Sequence, residues 1–204
     1  MTDRPADIVE LLDWKRRMFD LYRRIRESTD VPAAWEEWKR TRDELFAKHP
    51  QSPLPASERA GFRGLSYFDY DPAARVLADI EEAEPERLAI ASSTGGVHEF
   101  TRLGRAAFEL RDERLRLDLY WLEGYGGGLF LPIRDQTSGS ESYGSGRYLL
   151  DTVKGADLGM EGSRLVLDFN FAYSPSCCYD GKWDCPLTPP ANRLPVPVRA
   201  GERI

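Results

Sequence analysis

The stretch LDFNFAYSPSCCYDGKWDCP, residues 167–186, holds all three cysteines of the chain, Cys177, Cys178 and Cys185, behind the polar pair Asp168 and Asn170. Thiols at this spacing suit a metal site, a bridge or a nucleophile. Structural zinc needs a full tetrahedral set of nitrogen and sulfur ligands, and His49 and His98 are the only histidines. A metal site, for a structural zinc protein or a metal-assisted hydrolase, therefore has to draw on Cys177, Cys185 and the distant His98. A Cys177–Cys185 bridge would close a short loop. A nucleophilic cysteine wants a base beside it, and no histidine is local. Buried packing is the leading reading of the thiols, so no metal is expected and no residue pattern identifies a cofactor.

A second group lies in LFLPIRDQTSGSESYGSGRYL, residues 129–149, where a strand-like run enters a segment carrying Asp135, Thr137, Glu141, Tyr143, Arg147 and Tyr148. Ordering so polar a loop costs entropy that its few apolar groups do not return, unless its polar groups bond one another or a ligand. Arg147 is the natural hub, because a guanidinium takes a carboxylate in two parallel hydrogen bonds. Asp135, Glu141 or Asp168 is expected to supply it in an internal clamp; a ligand carboxylate or phosphate is the alternative. In RLVLDFNFAY the alternation places Asp168 and Asn170 on one strand face and Leu165, Leu167, Phe169 and Phe171 on the other. Together the two segments predict a pocket for a small polar or anionic molecule. Asp168 would be its general base and Arg147 its electrostatic stabiliser, if chemistry occurs there.

Other site motifs are absent. EGYGGGLF, residues 123–130, is glycine-rich but leads into no helix and matches no phosphate-binding spacing, so it reads as a hairpin loop. No Gly-x-Ser-x-Gly elbow surrounds Ser140, Ser142 or Ser145.

The elements that must position these groups follow from periodicity. Helical spacing of Ile8, Leu11, Leu12, Met18, Phe19, Tyr22 and Ile25 predicts a helix from Pro5 to about Glu27, with Asp3 and Pro5 suited to its start. Asp30 is placed to cap a second helix, in which Trp35, Trp38, Leu45 and Phe46 form a stripe before His49-Pro50 ends it. Beyond the proline-rich crossing QSPLPASERAG the period falls to two, with Leu115, Leu117, Leu119 and Trp121 predicted on one buried strand face. Further strands are expected at residues 65–69, 76–80, 88–92, 97–102, 105–110, 129–133, 147–150 and 164–173. The fold class is therefore mainly β, an antiparallel sandwich or barrel with an N-terminal helical pair packed on it. Residues 1–50 form the helical pair and 51–204 the β-rich domain. Its tail, CPLTPPANRLPVPVRAGE, reads as an extended coil over the surface that sets Asn192 and Arg193 beside the sheet. A rival reading gives the Trp35 and Trp38 face to a second chain, as an interaction module or homodimer.

Charge and length narrow the class. With 28 Lys plus Arg against 34 Asp plus Glu, a net charge of −6, the chain offers nucleic acid no attractive field overall. No apolar run approaches the roughly 20 residues that span a bilayer, and the start MTDRPADIVE has no signal-peptide pattern. The expected compartment is cytoplasmic, where a low, odd cysteine count argues against a disulfide framework.

The motifs FLPIRDQTSGSESYGSGRYL, LDFNFAYSPSCCYD, CPLTPPANRLPVPV and RAGE, with the Trp-rich helix ending HPQSPL, resemble the prokaryotic family known as domain of unknown function 1684. The resemblance spans most of the chain and implies no activity. It points to Asp135, Thr137, Gly139, Tyr143, Gly146, Arg147, Tyr148, Asp168, Asn170, Tyr173, Pro175, Cys177, Tyr179, Cys185, Pro186, Asn192, Pro195 and Glu202 as motif positions, and Tyr173, Tyr179 and Asn192 join the expected ligand contacts. The family pattern favours Asn at Ser174, a small residue other than Cys at Cys178, and Glu at Ala191. Those departures imply that Cys178 is incidental and that no carboxylate at 191 is indispensable.

Overall fold

The computed structural model describes residues 4–204, so Asp3 lies outside the described residues. Two helices, α1 (Pro5–Glu27) and α2 (Val31–Lys48), open the chain. Pro5 begins α1 where its missing N–H costs nothing, and Asp30 caps α2 by accepting from Ala33 N at 3.0 Å. A single turn, α3 (Ala56–Arg59), follows. Then come β1 (Arg75–Ala91), β2 (Val97–Leu110), β3 (Glu113–Leu122), β4 (Leu129–Ile133), β5 (Arg147–Asp151), β6 (Met160–Glu161) and β7 (Arg164–Asp168).

The strands form one antiparallel sheet in the order β5-β4-β3-β2-β1-β7-β6. The sheet is open, with β5 and β6 at its edges, so among the described residues the expected barrel does not close and no second sheet stacks on it as a sandwich. Closure needs a continuous ladder past β7, and the chain instead coils into a 3-10 turn at Phe169–Phe171. Only the isolated bridge between Tyr148 and Tyr173 then spans from β5 to the segment beyond β7. That turn also corrects the expectation of a strand running to residue 173.

Several short expected strands are halves of longer ones. Residues 76–80 and 88–92 lie on or beside β1, which is interrupted between Glu82 and Glu86, and 97–102 and 105–110 belong to β2, whose register shifts between Arg102 and Gly104. At Gly104 a β-carbon would sit 2.7 Å from the Glu81 carbonyl, so the close approach of β1 requires glycine. The β2–β3 hairpin turns through Arg111 and Asp112, both at positive φ. Residues 65–69 join no strand; Tyr67 bridges Glu202 instead.

Both helices pack on the sheet within one hydrophobic core. Leu21, Tyr22, Ile25, Trp35 and Trp38 meet Phe108, Leu117, Leu131, Leu149, Leu167 and Phe171 there. Trp38 donates to the Tyr22 hydroxyl at 3.1 Å and Trp35 to the Asn170 carbonyl at 2.9 Å. The tryptophan stripe is thus internal, which removes the face that the interaction-module and homodimer readings relied on. A smaller cluster, Ile90, Phe100, Tyr120, Phe130 and Tyr148, uses the other pleat of β3, so Tyr120 is buried and Trp121 is exposed, against expectation. Leu115, Leu117 and Leu119 face the main core as expected.

Candidate functional site

Arg147 begins β5 and is fully buried. Its Nη1 donates to the carbonyls of Ala200 at 2.5 Å and Glu202 at 3.0 Å, and its Nη2 to Val198 O and Asp135 Oδ2, both at 2.9 Å. Burial pulls its pKa down while Asp135 holds it up. Asp135 closes the loop in turn, its Oδ1 accepting from Thr137 N at 2.8 Å and Val198 N at 3.1 Å. The expected clamp is present with Asp135 as its carboxylate. Its protein partners occupy the seat proposed for a ligand anion, and Arg147 shares no hydrogen bond with Asp168. Arg147 thus anchors the tail and stands apart from Asp168.

Most other expected contacts also serve the framework. Thr137 Oγ1 pairs with Ser142 Oγ at 2.8 Å, and Glu141 forms an exposed bidentate pair with Arg199. Tyr148 donates to Pro186 O at 2.5 Å and meets Tyr173 edge-on. Asn192 bonds the main chain of Asp118 through both ends of its amide and reaches Pro132 O at 2.8 Å. Asn170 is likewise consumed, bonding Asp71 O, Asp71 N and Asp168 Oδ1. The tail carrying Asn192 runs inward rather than over the surface, with Leu194, Val198, Ala200 and Glu202 buried.

Sequence reasoning missed a second lock. Glu202 Oε2 accepts from Arg42 Nη2 at 2.8 Å and from Ser174 N at 3.1 Å, while Tyr179 donates its hydroxyl to Oε1. Arg42 also donates to the Tyr67 hydroxyl at 2.9 Å and lies over the Trp38 ring. This joins α2 to the chain end across a separation that no local pattern signals.

The thiols are free, Cys185 buried and the other two half-buried. Tyr143 OH lies 3.8 Å from Cys177 Sγ. His98 stands apart, its Nε2 within 3.1 Å of Asp184 Oδ2 yet without the alignment of a hydrogen bond. Among the described residues no group of three or more His, Cys, Asp and Glu side chains is placed to hold a metal ion. The set Cys177, Cys185 and His98 is thus not assembled as a metal centre.

Asp168 remains. It ends β7 directly opposite Arg75 on β1, and it lines a cleft of ≈ 190 Å³ between the sheet edge and the junction of α1 and α2. Val166 from the same strand face joins it, as alternation requires, with Ile25, Arg26 and Ser28 from the helical side and Met160 and Glu161 from β6. Asp168 Oδ1 accepts from Asn170 N at 3.0 Å and Nδ2 at 2.8 Å. Oδ2 is buried with no partner. Burial raises the carboxyl from 3.8 to about 6, against the two Asn170 hydrogen bonds and the charge of Arg75 that lower it. A buried carboxylate with a free oxygen, in a cleft, is equipped to accept a hydrogen bond or a proton. The helix-end and β6 contributions were not legible in the sequence, because they come from remote segments.

The fold and this site define the class: an open antiparallel β-sheet protein with a helical pair on its core, a locked C-terminal tail and a cleft that holds a buried aspartate. The chain belongs to the family described as protein of unknown function (DUF1684), whose model matches residues 60–203. It is similar to an uncharacterised protein of Haloarcula marismortui solved in solution by NMR, with 36% identity over 88% of this chain and 97% of that one at TM-score 0.62. No functionally curated protein matches. No helix among the described residues is long and apolar enough to cross a membrane.

Two predictions follow from this geometry. Arg147→Met leaves Asp135 charged and the tail carbonyls orphaned, and is expected to cost about 3–5 kcal/mol in urea denaturation; Glu141→Ala should leave the midpoint unchanged. Asp168, whose folded pKa lies above its unfolded value, contributes stability that is present below pH 4 and lost as pH rises through about 6, up to about 3 kcal/mol. Denaturation at pH 4 and pH 7 should show that loss in the wild type and its absence in Asp168→Asn.

Proposed function

We propose that the chain binds a small polar molecule in the Asp168 cleft, through a ligand amine, amide or hydroxyl that donates to Asp168 Oδ2. The observation that carries this reading is the unpartnered, buried Oδ2 beside an Asn170 whose own amide is fully engaged. An unpaired buried carboxylate lowers stability, and a ligand donor offsets that cost. The cations at the rim are already matched, Arg75 with Glu161 at 2.5 Å and Arg26 with Asp157 at 3.3 Å. The cleft therefore favours a neutral or cationic head over an anionic one. Ile25, Val31, Leu158 and Phe171 provide an apolar wall for the ligand body. With its pKa near 6, Asp168 is ionised at neutral pH yet basic enough to take a proton from a bound hydroxyl or amine, the general-base role expected of it.

Thermal-shift screening with a panel of small amines, amides and polyols tests the reading. Compounds that raise the melting temperature should bind Asp168→Asn at least about tenfold more weakly, since a hydrogen bond to a charged group is at stake. Equal affinity for both proteins would place the ligand elsewhere.

A further inference from the structure

The smaller aromatic cluster borders a second cavity, of ≈ 180 Å³, that shares no lining residue with the Asp168 cleft. The strand register builds its floor: Phe100 on β2 pairs with Leu122 on β3, and Phe130 on β4 with Asp151 on β5, and directly opposed partners point to the same face. The rings of Phe100 and Phe130 stack at 5.2 Å, and His98, two residues before Phe100, shares its face of β2. Val153 and Lys154 come from the turn after β5, drawn in because Thr152 Oγ1 accepts from Leu129 N at 2.8 Å. Asp184 and Pro186 come from the loop that returns to the end of β1. That loop is pinned where Tyr148 donates to Pro186 O at 2.5 Å and Leu187 N to Ala91 O at 2.9 Å. Thr94 donates to Asp184 Oδ1 at 2.5 Å, which sets Oδ2 3.1 Å from His98 Nε2, while buried Asp151 lies 3.4 Å from the exposed ammonium of Lys154.

We propose that this cavity binds a small neutral aromatic alcohol, its ring against Phe100 and Phe130 and its hydroxyl on His98. The two phenyl rings, with Leu122, Leu129 and Val153, offer an apolar surface suited to a third ring. The space is sufficient, since an apolar cavity of about 150 Å³ takes up benzene. His98 Nε2 has no hydrogen-bond partner despite the nearby carboxylate, so the imidazole presents a polar atom that the protein does not use. A hydroxyl both donates and accepts, and therefore meets either tautomer of that ring. The flanking charges stand in pairs of opposite sign, Asp151 with Lys154 and Asp184 beside His98. A ligand carboxylate would face both aspartates and a ligand ammonium would face Lys154, so neither ion regains the hydration it gives up on entry. The neutral alcohol gives up least.

The test titrates benzyl alcohol into the isotope-labelled full chain and follows the backbone amide resonances, with benzoate and benzylamine as charged counterparts of similar size. Benzyl alcohol is expected to give saturable shifts centred on residues 98–100, 122, 128–130 and 151–154, with a Kd of about 1 mM or tighter. Each ion should bind at least about tenfold more weakly. His98→Phe keeps a ring in place but removes the hydrogen bond, and should weaken benzyl alcohol about tenfold. Shifts centred on Arg26, Gly159 and Asp168 would give the ring to the other cleft and overturn the proposal. So would an ion that binds as tightly as the alcohol, equal affinity for His98→Phe, or no saturable shift by about 10 mM. The position of the shifts and the ranking of the three compounds are both read on the wild-type chain, so instability of the variant does not obscure the result.

Discussion

Arg147 exchanges water for the Asp135 carboxylate and the carbonyls of Val198, Ala200 and Glu202, and the position of the whole chain end rests on that exchange. Both terminal nitrogens of this buried guanidinium are met by well-placed acceptors, with Nε left unpaired, and the proline-rich tail supplies carbonyls free of any strand ladder. Once seated, the tail acts on the region around Asp168. Glu202 N donates to Ala172 O at 2.8 Å, and Gly201, at φ 78°, comes so close that a β-carbon would lie 2.7 Å from Phe169 O. The turn that ends β7 is thereby fixed from the tail side. From the helical side, Trp35 bonds Asn170 O and Arg42 bonds the Glu202 carboxylate. Asp168 is held at the meeting point of these restraints.

This arrangement separates two roles that one stretch of sequence combines. The family motif supplies Asp135, Arg147, Asn170, Asn192 and Glu202, and each directs hydrogen bonds to the protein itself. Their number reflects the difficulty of ordering a long polar loop and a proline-rich tail without strands, since every inward-facing carbonyl and N–H needs a partner. Asp168 keeps one carboxylate oxygen without a partner. His98, Arg102, Arg147, Ser174 and Thr188 also leave a buried polar atom unpaired, so Asp168 is set apart by being a carboxylate that lines a cleft.

Local pattern made the helices legible: both extend over the expected residues, and Asp30 caps the second as its spacing required. The antiparallel strands were legible in kind, but their lengths were not, because the interruptions at Glu82–Glu86 and Arg102–Gly104 scramble alternation without ending the ladder. The barrel expectation failed at the turn following Asp168, where Asp168 itself accepts from Asn170 N and favours the turn over a continued strand. At the site, chemistry pointed to Asp168 and to an Arg147 clamp, yet it joined them into one pocket. Only tertiary structure shows that the clamp faces the tail while Asp168 faces the helical junction, and that Arg42 completes the second lock.

Ligand binding in the cleft depends on the state of the Asp168 carboxyl group. Its most direct test is an NMR titration of the Asp168 side-chain carboxyl carbon in the intact, ligand-free chain. A midpoint near 6 is predicted, from burial that outweighs the Asn170 hydrogen bonds. A midpoint at or below about 4, the range of a solvated or well-paired aspartate, would show that Oδ2 is not left wanting a partner and would contradict the assignment of the cleft as the site.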